Sequence, residues 1–433
     1  DGRHFPVVTE LIYVQEVMTG SFIRQDPSRQ AKKHSHMDSS TTNRGLVDDV
    51  IAWLTTDAEP ECKLSVDRVL TIVPVGEDGF ASEMLRVDCA ASAVDDDAPP
   101  TVLSFLLKCA DSSRFPFELP YSFAVTEAEF YRCREITARL GAHTTLHLPR
   151  VYGARLLSRT ASQLALEFLC PPGWHLGPAA LTASQVRSAT VGLAQMHSHF
   201  ARATGAFSLE SCSSWLQPAA THLGGYADLF TSSLGKLTAE KVREVVPALA
   251  CCAEKVVEAL CAVSYADLVE TLCEAPPSTN DGSSVAHPLA AHLTLLHMDV
   301  RSKNMFFSDS LSSSSSSCSS SSPSCCLIDW QNVSRNGVGV LDIAYLFVGS
   351  LAVRTRLATE SDLLALYHRH YSVEITLAEL TRLYRVACLW PLVWAAATIA
   401  DLDGLVSLLS PDSDTRQVAV RFMRTTTLRY LLA

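Results

Sequence analysis

Residues 295–307, LLHMDVRSKNMFF, set His297, Asp299 and Asn304 in the order H-x-D-x-x-x-x-N, and the next apolar run, CLIDWQN, carries Asp329. A carboxylate, an amide and a second carboxylate in that order suit one chemistry in particular. Moving a phosphoryl group from a nucleotide to a hydroxyl takes little covalent help from protein. It takes a carboxylate that orients the attacking hydroxyl and accepts its proton, and hard oxygen ligands that hold Mg²⁺ against the phosphates. Asp299 suits the first task, Asn304 and Asp329 the second. His297 is expected to brace the loop by hydrogen bonds. Arg301, two places past Asp299, is expected to face the transferring group and offset its charge.

The phosphates also need a grip, and the front of the chain has the parts. Gly76 and Gly79 in VGEDGFAS let backbone amides approach phosphates closely, with Ser82 just behind them. Lys108 closes the apolar run TVLSFLLK, where it can bind the α- and β-phosphates, and Glu127 in the following helical stretch can pair with it. Each of these is common by itself. Their order along the chain (glycine turn, Lys, Glu, H-x-D-x-x-x-x-N, Asp) is the stronger argument, although the turn lacks the third glycine of G-x-G-x-x-G.

The elements that would position these residues divide the chain in two. VDRVLTIVPV and FASEMLRVDCA flank the glycine turn as a β-hairpin. TVLSFLLK, VYGARLL and QLALEFL read as further strands, with one helix over roughly 123–139 inserted among them. Past Pro171-Pro172-Gly173 the pattern is helical: Val186, Ala189, Leu193, Met196 and Phe200 recur at helix spacing, and two later helical stretches are each divided by a proline. NMFF and CLIDW look like paired strands. Between them, residues 308–326 hold thirteen serines in nineteen positions, an oversized hairpin loop. Residues 1–44 read as a polar extension, 45–169 as a β-rich lobe preceded by a short helix at GLVDDVIAWL, and 170–433 as an α-rich lobe. Trp174, Trp390, Trp394, Tyr345 and Tyr384 either line an acceptor pocket or, as their helical spacing favours, pack the core.

The bulk properties agree. At 433 residues and 48% apolar composition the chain has material for two packed lobes. A formal charge of −11, from 46 acidic and 35 basic residues, argues against nucleic acid or an anionic membrane surface as the main partner. No uninterrupted apolar run of about 18 residues points to a membrane span. Fourteen scattered cysteines without a C-x-x-C read as reduced thiols of a cytoplasmic protein. The chain opens on DGRHFPVV, which has no secretory pattern and no Met, so an upstream piece is expected.

GEDGFASEMLRV, EAEFYR, LALEFL, HMDVRSKNMFF, LIDWQNVSRNGVGVLDIAYLFVGS and LLALYHRHY resemble the aminoglycoside phosphotransferase and choline-kinase-like superfamily, and within it the ecdysteroid-kinase-like branch. The resemblance runs from about residue 66 to 370. It implies an α+β, two-lobed fold like that of protein kinases, and an ATP- and Mg²⁺-dependent transfer of the γ-phosphoryl group to a hydroxyl of a small molecule. By the same resemblance Lys108 and Glu127 clamp ATP. Glu167, Phe168 and Leu169 form the hinge strand that holds adenine through backbone groups, Asp299 is the catalytic aspartate, and Asn304 and Asp329 hold the metal. Asp342, in the G-x-x-D-hydrophobic-A segment, supports the larger lobe. Three departures stand out: Met298 sits where the family commonly has Gly, Lys303 sits next to Asn304, and the serine tract at 308–326 lengthens the hairpin between site residues.

Two other functions share part of this logic. In a protein kinase an Arg would precede Asp299, Phe-Gly would follow Asp329, and an activation segment ending in A-P-E would come next; GVGVLDIAYL arrives too soon for one. A catalytically inactive nucleotide-binding scaffold would be expected to have lost one of the ligands, and none is missing.

Overall fold

The computed structural model describes residues 39–56, 66–75, 82–91, 101–114, 122–170, 173–274, 288–308, 323–409, 420, 423–424 and 426–431. The glycine turn at Gly76 and Gly79, and residues 309–322 of the serine tract, lie outside them, as do residues 1–38.

Helix α1 (Ser39–Thr56) begins inside the stretch expected as a polar tail. Strands β1 (Val66–Pro74), β2 (Ser82–Ala91) and β3 (Thr101–Asp111) follow. Then come helices α2 (Phe123–Arg132) and α3 (Arg134–His143), and strands β4 (Leu146–His147), β5 (Val151–Leu156) and β6 (Ala161–Glu167). The expected single helix over 123–139 is thus two, parted at Cys133. Five strands form one antiparallel sheet in the order β1-β2-β3-β6-β5. Its two-residue period decides which side chains meet. Leu85, Val87, Phe105 and Leu107 point to one face and bury against Val47, Val50 and Leu54 of α1, each contributing about 1.5–3 kcal/mol of transfer energy. Lys108 points to the other face, opposite Met84 on β2 and Leu164 on β6, toward α2. β3 continues three residues beyond it, so Lys108 is a strand-interior residue and not the strand end.

The second half is mostly helical. After β7 (Trp174–Leu176) come α4 (Ala183–Phe200), α5 (Ala219–Leu234), α6 (Ala239–Val245), α7 (Ala253–Cys261) and α8 (Tyr265–Leu272). Four short strands interrupt them: β8 (Leu293–Leu296), β9 (Met305–Ser308), β10 (Cys325–Leu327) and β11 (Ser334–Val338). Helices α9 (Val340–Ser350), α10 (Val353–His370), α11 (Leu377–Ala387), α12 (Leu392–Ala400) and α13 (Leu402–Leu409) follow, and residues 426–431 are again helical. β9 and β10 pair antiparallel as expected, and the two- and three-residue strands β4 and β7 join them in a sheet ordered β4-β10-β9-β7. Pro247 opens a 3₁₀ turn between α6 and α7, and Pro391 caps α12, the two divisions anticipated from proline. Trp390, Tyr384 and Tyr345 are buried in the core of this lobe, whereas Trp174 and Trp394 keep partial exposure. One described stretch, Leu377–Ala400, is long and apolar enough to cross a membrane by length and composition, and 67% of its most apolar window is buried inside the protein.

Candidate active site

The all-buried strand β8 delivers the chain to His297, and the loop beyond it is pinned from below. Asp342, in the first turn of α9 and wholly buried, accepts the backbone amides of His297 and Met298 with separate oxygens, both at 2.8 Å. Met298 holds φ +67°, the left-handed region that favours glycine and the place where the resembled family commonly has one. His297 braces the loop as anticipated: Nε2 bonds the Ile328 carbonyl at 2.9 Å and Nδ1 accepts the Asp299 amide at 3.2 Å. Asn304 Nδ2 donates to both the carbonyl and Oδ2 of Asp299, each at 2.9 Å. Arg301 Nε lies 3.1 Å from Asp299 Oδ1.

The β9–β10 ladder brings in Asp329. Met305 pairs with Leu327, and the Ile328 amide donates to the Asn304 carbonyl at 3.0 Å, so Asn304 and Asp329 flank adjacent rungs. Asp329 also adopts a left-handed φ, +65°. Its Oδ1 and Glu127 Oε2 both meet Lys108 Nζ at 2.7 Å. Lys108 therefore joins a strand and a helix of the first lobe to a loop of the second, across 221 residues of sequence. Trp330, fully buried, donates Nε1 to the Leu327 carbonyl at 3.1 Å and stacks on Phe130 of α2 with ring centroids 4.1 Å apart and planes 9° off parallel. This stack ties the helix that carries Glu127 to the loop that carries Asp329. The sequence signal for it is thin: an aromatic three residues past Glu127 and another just after Asp329.

Charge follows geometry. Burial alone would lower the Lys108 pKa, but Asp329 and Glu127 outweigh it and hold the ammonium well above its ordinary value. Burial raises Glu127, with Lys108 working against it. Burial also works to raise Asp329, and there Lys108, Arg301 and His297 win, so that its carboxyl is held below the usual range. Asp299 goes the other way. Burial raises it more than Arg301 lowers it, and Asp329 adds to the rise.

The remaining expected residues stand apart from this cluster. Ser82 opens β2 opposite Ala110. Glu167 ends β6 opposite Phe105, where its amide donates to the Arg150 carbonyl (2.7 Å) and its carboxylate accepts the Arg150 amide (3.1 Å). Leu169 is buried just beyond. A cavity of about 660 Å³ between α5 and α8, lined by Phe230, Leu234, Tyr265 and Val269 among others, includes none of the expected site residues.

For a divalent ion the donor set is Asn304 and Asp329. The Asn304 amide nitrogen is committed to Asp299, which leaves its oxygen as the coordinating atom, and Asp329 Oδ2 has only a 3.4 Å contact from Gln331. Two hard oxygen donors fit Mg²⁺, which keeps waters and shares substrate phosphates where a cage is absent. Among the described residues no group of three or more His, Cys, Asp or Glu could hold a metal.

The family model described as ecdysteroid kinase-like matches residues 76–380, a stretch that contains every residue named above from Lys108 to Asp342. The chain belongs to the ecdysteroid kinase-like family. This kinase-like phosphotransferase family accounts for the mixed architecture of an antiparallel sheet and a helical second lobe. No curated protein sequence matches the ecdysteroid kinase-like chain. Among solved structures it is similar to a candidate aminoglycoside phosphotransferase from Ralstonia eutropha JMP134 at 10% identity, covering 89% of this chain and 98% of that one with a TM-score of 0.47. It is also similar to the macrolide 2′-phosphotransferase MphH from Brachybacterium faecium at 15% identity, 87% and 97% coverage and a TM-score of 0.40. A third, an aminoglycoside phosphotransferase in complex with GDP and kanamycin, is 14% identical over 86% and 98% of the two chains with a TM-score of 0.43. At these scores the three likenesses carry no weight about activity.

Proposed function

We propose that this protein transfers the γ-phosphoryl group of ATP to a hydroxyl of a small molecule. The observation that carries the proposal is the double ion pair of Lys108, to Glu127 and to Asp329, beside the bonded pair Asp299 and Asn304. In this reading Lys108, held charged by its two carboxylates, binds the α- and β-phosphates. Backbone groups of 167–169 receive the adenine, and the turn at Gly76 and Gly79, with Ser82, covers the phosphates. The acceptor hydroxyl approaches Asp299, whose Oδ2 is oriented by Asn304. Its oxygen forms the new bond to the γ-phosphorus as the bond to the ADP oxygen breaks, and its proton passes to the Asp299 carboxylate. Arg301, already on Asp299, lies where it can offset the charge of the moving group. Mg²⁺, held by Asn304 and Asp329, would neutralise the β- and γ-phosphate oxygens.

The short connection after Asp329 favours a small-molecule acceptor over a protein. Only Trp330, Gln331, Asn332 and Val333 separate Asp329 from β11, and α9 starts two residues after β11 ends. A peptide-docking activation segment has no room there.

The test is ADP release from Mg-ATP across a panel of alcohols (sterols, choline-like amino alcohols, aminoglycosides), with Asp329→Ala as the blank. Acceptor-stimulated release is expected in the wild type, with slow hydrolysis without acceptor, and Asp299→Asn should lower both at least about a hundredfold. Hydrolysis unchanged by Asp299→Asn would remove the mechanism. Mg-ATP binding without turnover would instead favour an inactive nucleotide-binding scaffold.

A further inference from the structure

Residues 426–431 form a helical turn beyond residue 380, where the family match stops. The turn is firmly seated. Leu428, Arg429 and Tyr430 are buried, and Arg429 Nη1 donates to the carbonyls of Ala179 (2.8 Å) and Gly349 (3.3 Å). The Tyr430 ring packs on Tyr345 of α9 with centroids 6.3 Å apart, in a small apolar cluster with Val348 and Ala395. Gly349 locates this cluster relative to the catalytic loop. A Cβ built on Gly349 would lie 3.9 Å from Arg301 Cβ and 3.9 Å from both Cε1 and the hydroxyl of Tyr430. Tyr430 and the stem of Arg301 therefore flank the same glycine.

Arg301 needs such a neighbour. Its Nε is buried and makes no hydrogen bond, standing beside Asp299 as an ion pair at 3.1 Å. A guanidinium usually takes its orientation from a fork of bonds. With Nε unbonded, packing of the stem shares in setting it.

We infer that Tyr430, seated on Tyr345, is a positioning residue for the proposed transfer: across Gly349 it confines the stem of Arg301 so that the guanidinium stays on Asp299. The ring edge and the hydroxyl of Tyr430 both lie 3.9 Å from the Gly349 Cβ position, so a variant that keeps the ring and drops the hydroxyl separates their shares. The inference deepens the phosphotransferase proposal and rests on it for its kinetic half.

Tyr430→Ala, Tyr430→Phe, Arg301→Ala and the double variant Tyr430→Ala/Arg301→Ala are assayed for Mg-dependent ATP hydrolysis and for ADP release with the alcohol panel. Amide exchange over residues 297–304 is followed in the same proteins. Tyr430→Ala should lower kcat between about tenfold and a hundredfold while KM for ATP moves less than about twofold. Tyr430→Phe should regain most of the rate, and the double variant should be no slower than Arg301→Ala. Amides of 297–304 should exchange faster in Tyr430→Ala than in the wild type. An undiminished kcat in Tyr430→Ala, losses that multiply in the double variant, or unaltered exchange would each overturn the inference. Faster exchange in a protein with no Asp299-dependent turnover would sink the phosphotransferase proposal alone and uphold the hold of Tyr430 on the loop.

Discussion

Asp299 is placed where its charge is costly, and that has two measurable consequences. Burial holds its carboxyl above the ordinary 3.8, with Arg301 only partly offsetting the shift. In the proposed transfer Asp299 takes up a proton, so turnover should be lost as pH falls through this raised pKa, at a higher pH than an exposed aspartate would give. Asp329, held low by Lys108 among others, stays ionised over the same range and adds no second limb there. The stability sign comes from linkage. With the folded pKa raised, the native state keeps the proton longer than the unfolded chain, so the wild type loses stability as pH rises from below 3.8 through the folded value. Asp299→Asn removes that loss. Its Tm at neutral pH should exceed that of the wild type by about 1 °C or more, with the gap closing in acid. A neutral-pH Tm below that of the wild type would show that the ion pair with Arg301 and the hydrogen bond from Asn304 outweigh the buried charge. His297, Asp299, Asn304 and Asp329 were all legible as a motif because three of them sit within eight residues and the fourth ends the next apolar run.

At the scale of elements, the contact that matters most joins α2 to the turn after β10. Phe130 lies one turn past Glu127 and is fully buried under Trp330, so the helix cannot shift without breaking a ring stack. Phe130→Ala should cost about 3–5 kcal/mol in urea unfolding, as loss of a buried aromatic generally does. It should also shrink the Tm rise produced by Mg-ATP, because Glu127 would no longer be held against Lys108. A full-sized nucleotide shift in a destabilised protein would separate the stack from the nucleotide grip. Sequence periodicity placed α2 but not its break at Cys133, and placed β9 and β10 but not the two- and three-residue strands beside them. Runs that short carry no period to read.

Across the whole molecule, support for the loop that carries Asp299 runs deep into the second lobe. Tyr367 on α10 bonds His197 Nδ1 at 2.9 Å, His197 Nε2 lies 3.1 Å from Asp342 Oδ2, and Asp342 holds the amides of His297 and Met298. Gly339 closes over this chain: an added Cβ would lie 2.5 Å from His197 Nδ1 and 2.6 Å from the Tyr367 hydroxyl. Gly339→Ala must push one of them aside. It should cost about 1–3 kcal/mol as overpacking does, and the turnover of the folded fraction should fall as the loop amides lose their anchor. Normal turnover per folded molecule would mean that the network is structural only.

The amino-acid order by itself determined the two-part division of the chain, most strands and helices, and the residue types of the candidate site, because period, proline and a tight motif are local records. The tertiary structure alone decided which face of β3 carries Lys108, that Phe130 stacked on Trp330 secures α2 alongside the Lys108–Glu127 pair, that Met298 tolerates a glycine's backbone, and that Tyr430 reaches Gly349 beside Arg301. Each of those depends on contacts between residues many tens to hundreds of positions apart. Such contacts are set by how packed surfaces fit, and no window of sequence contains both partners.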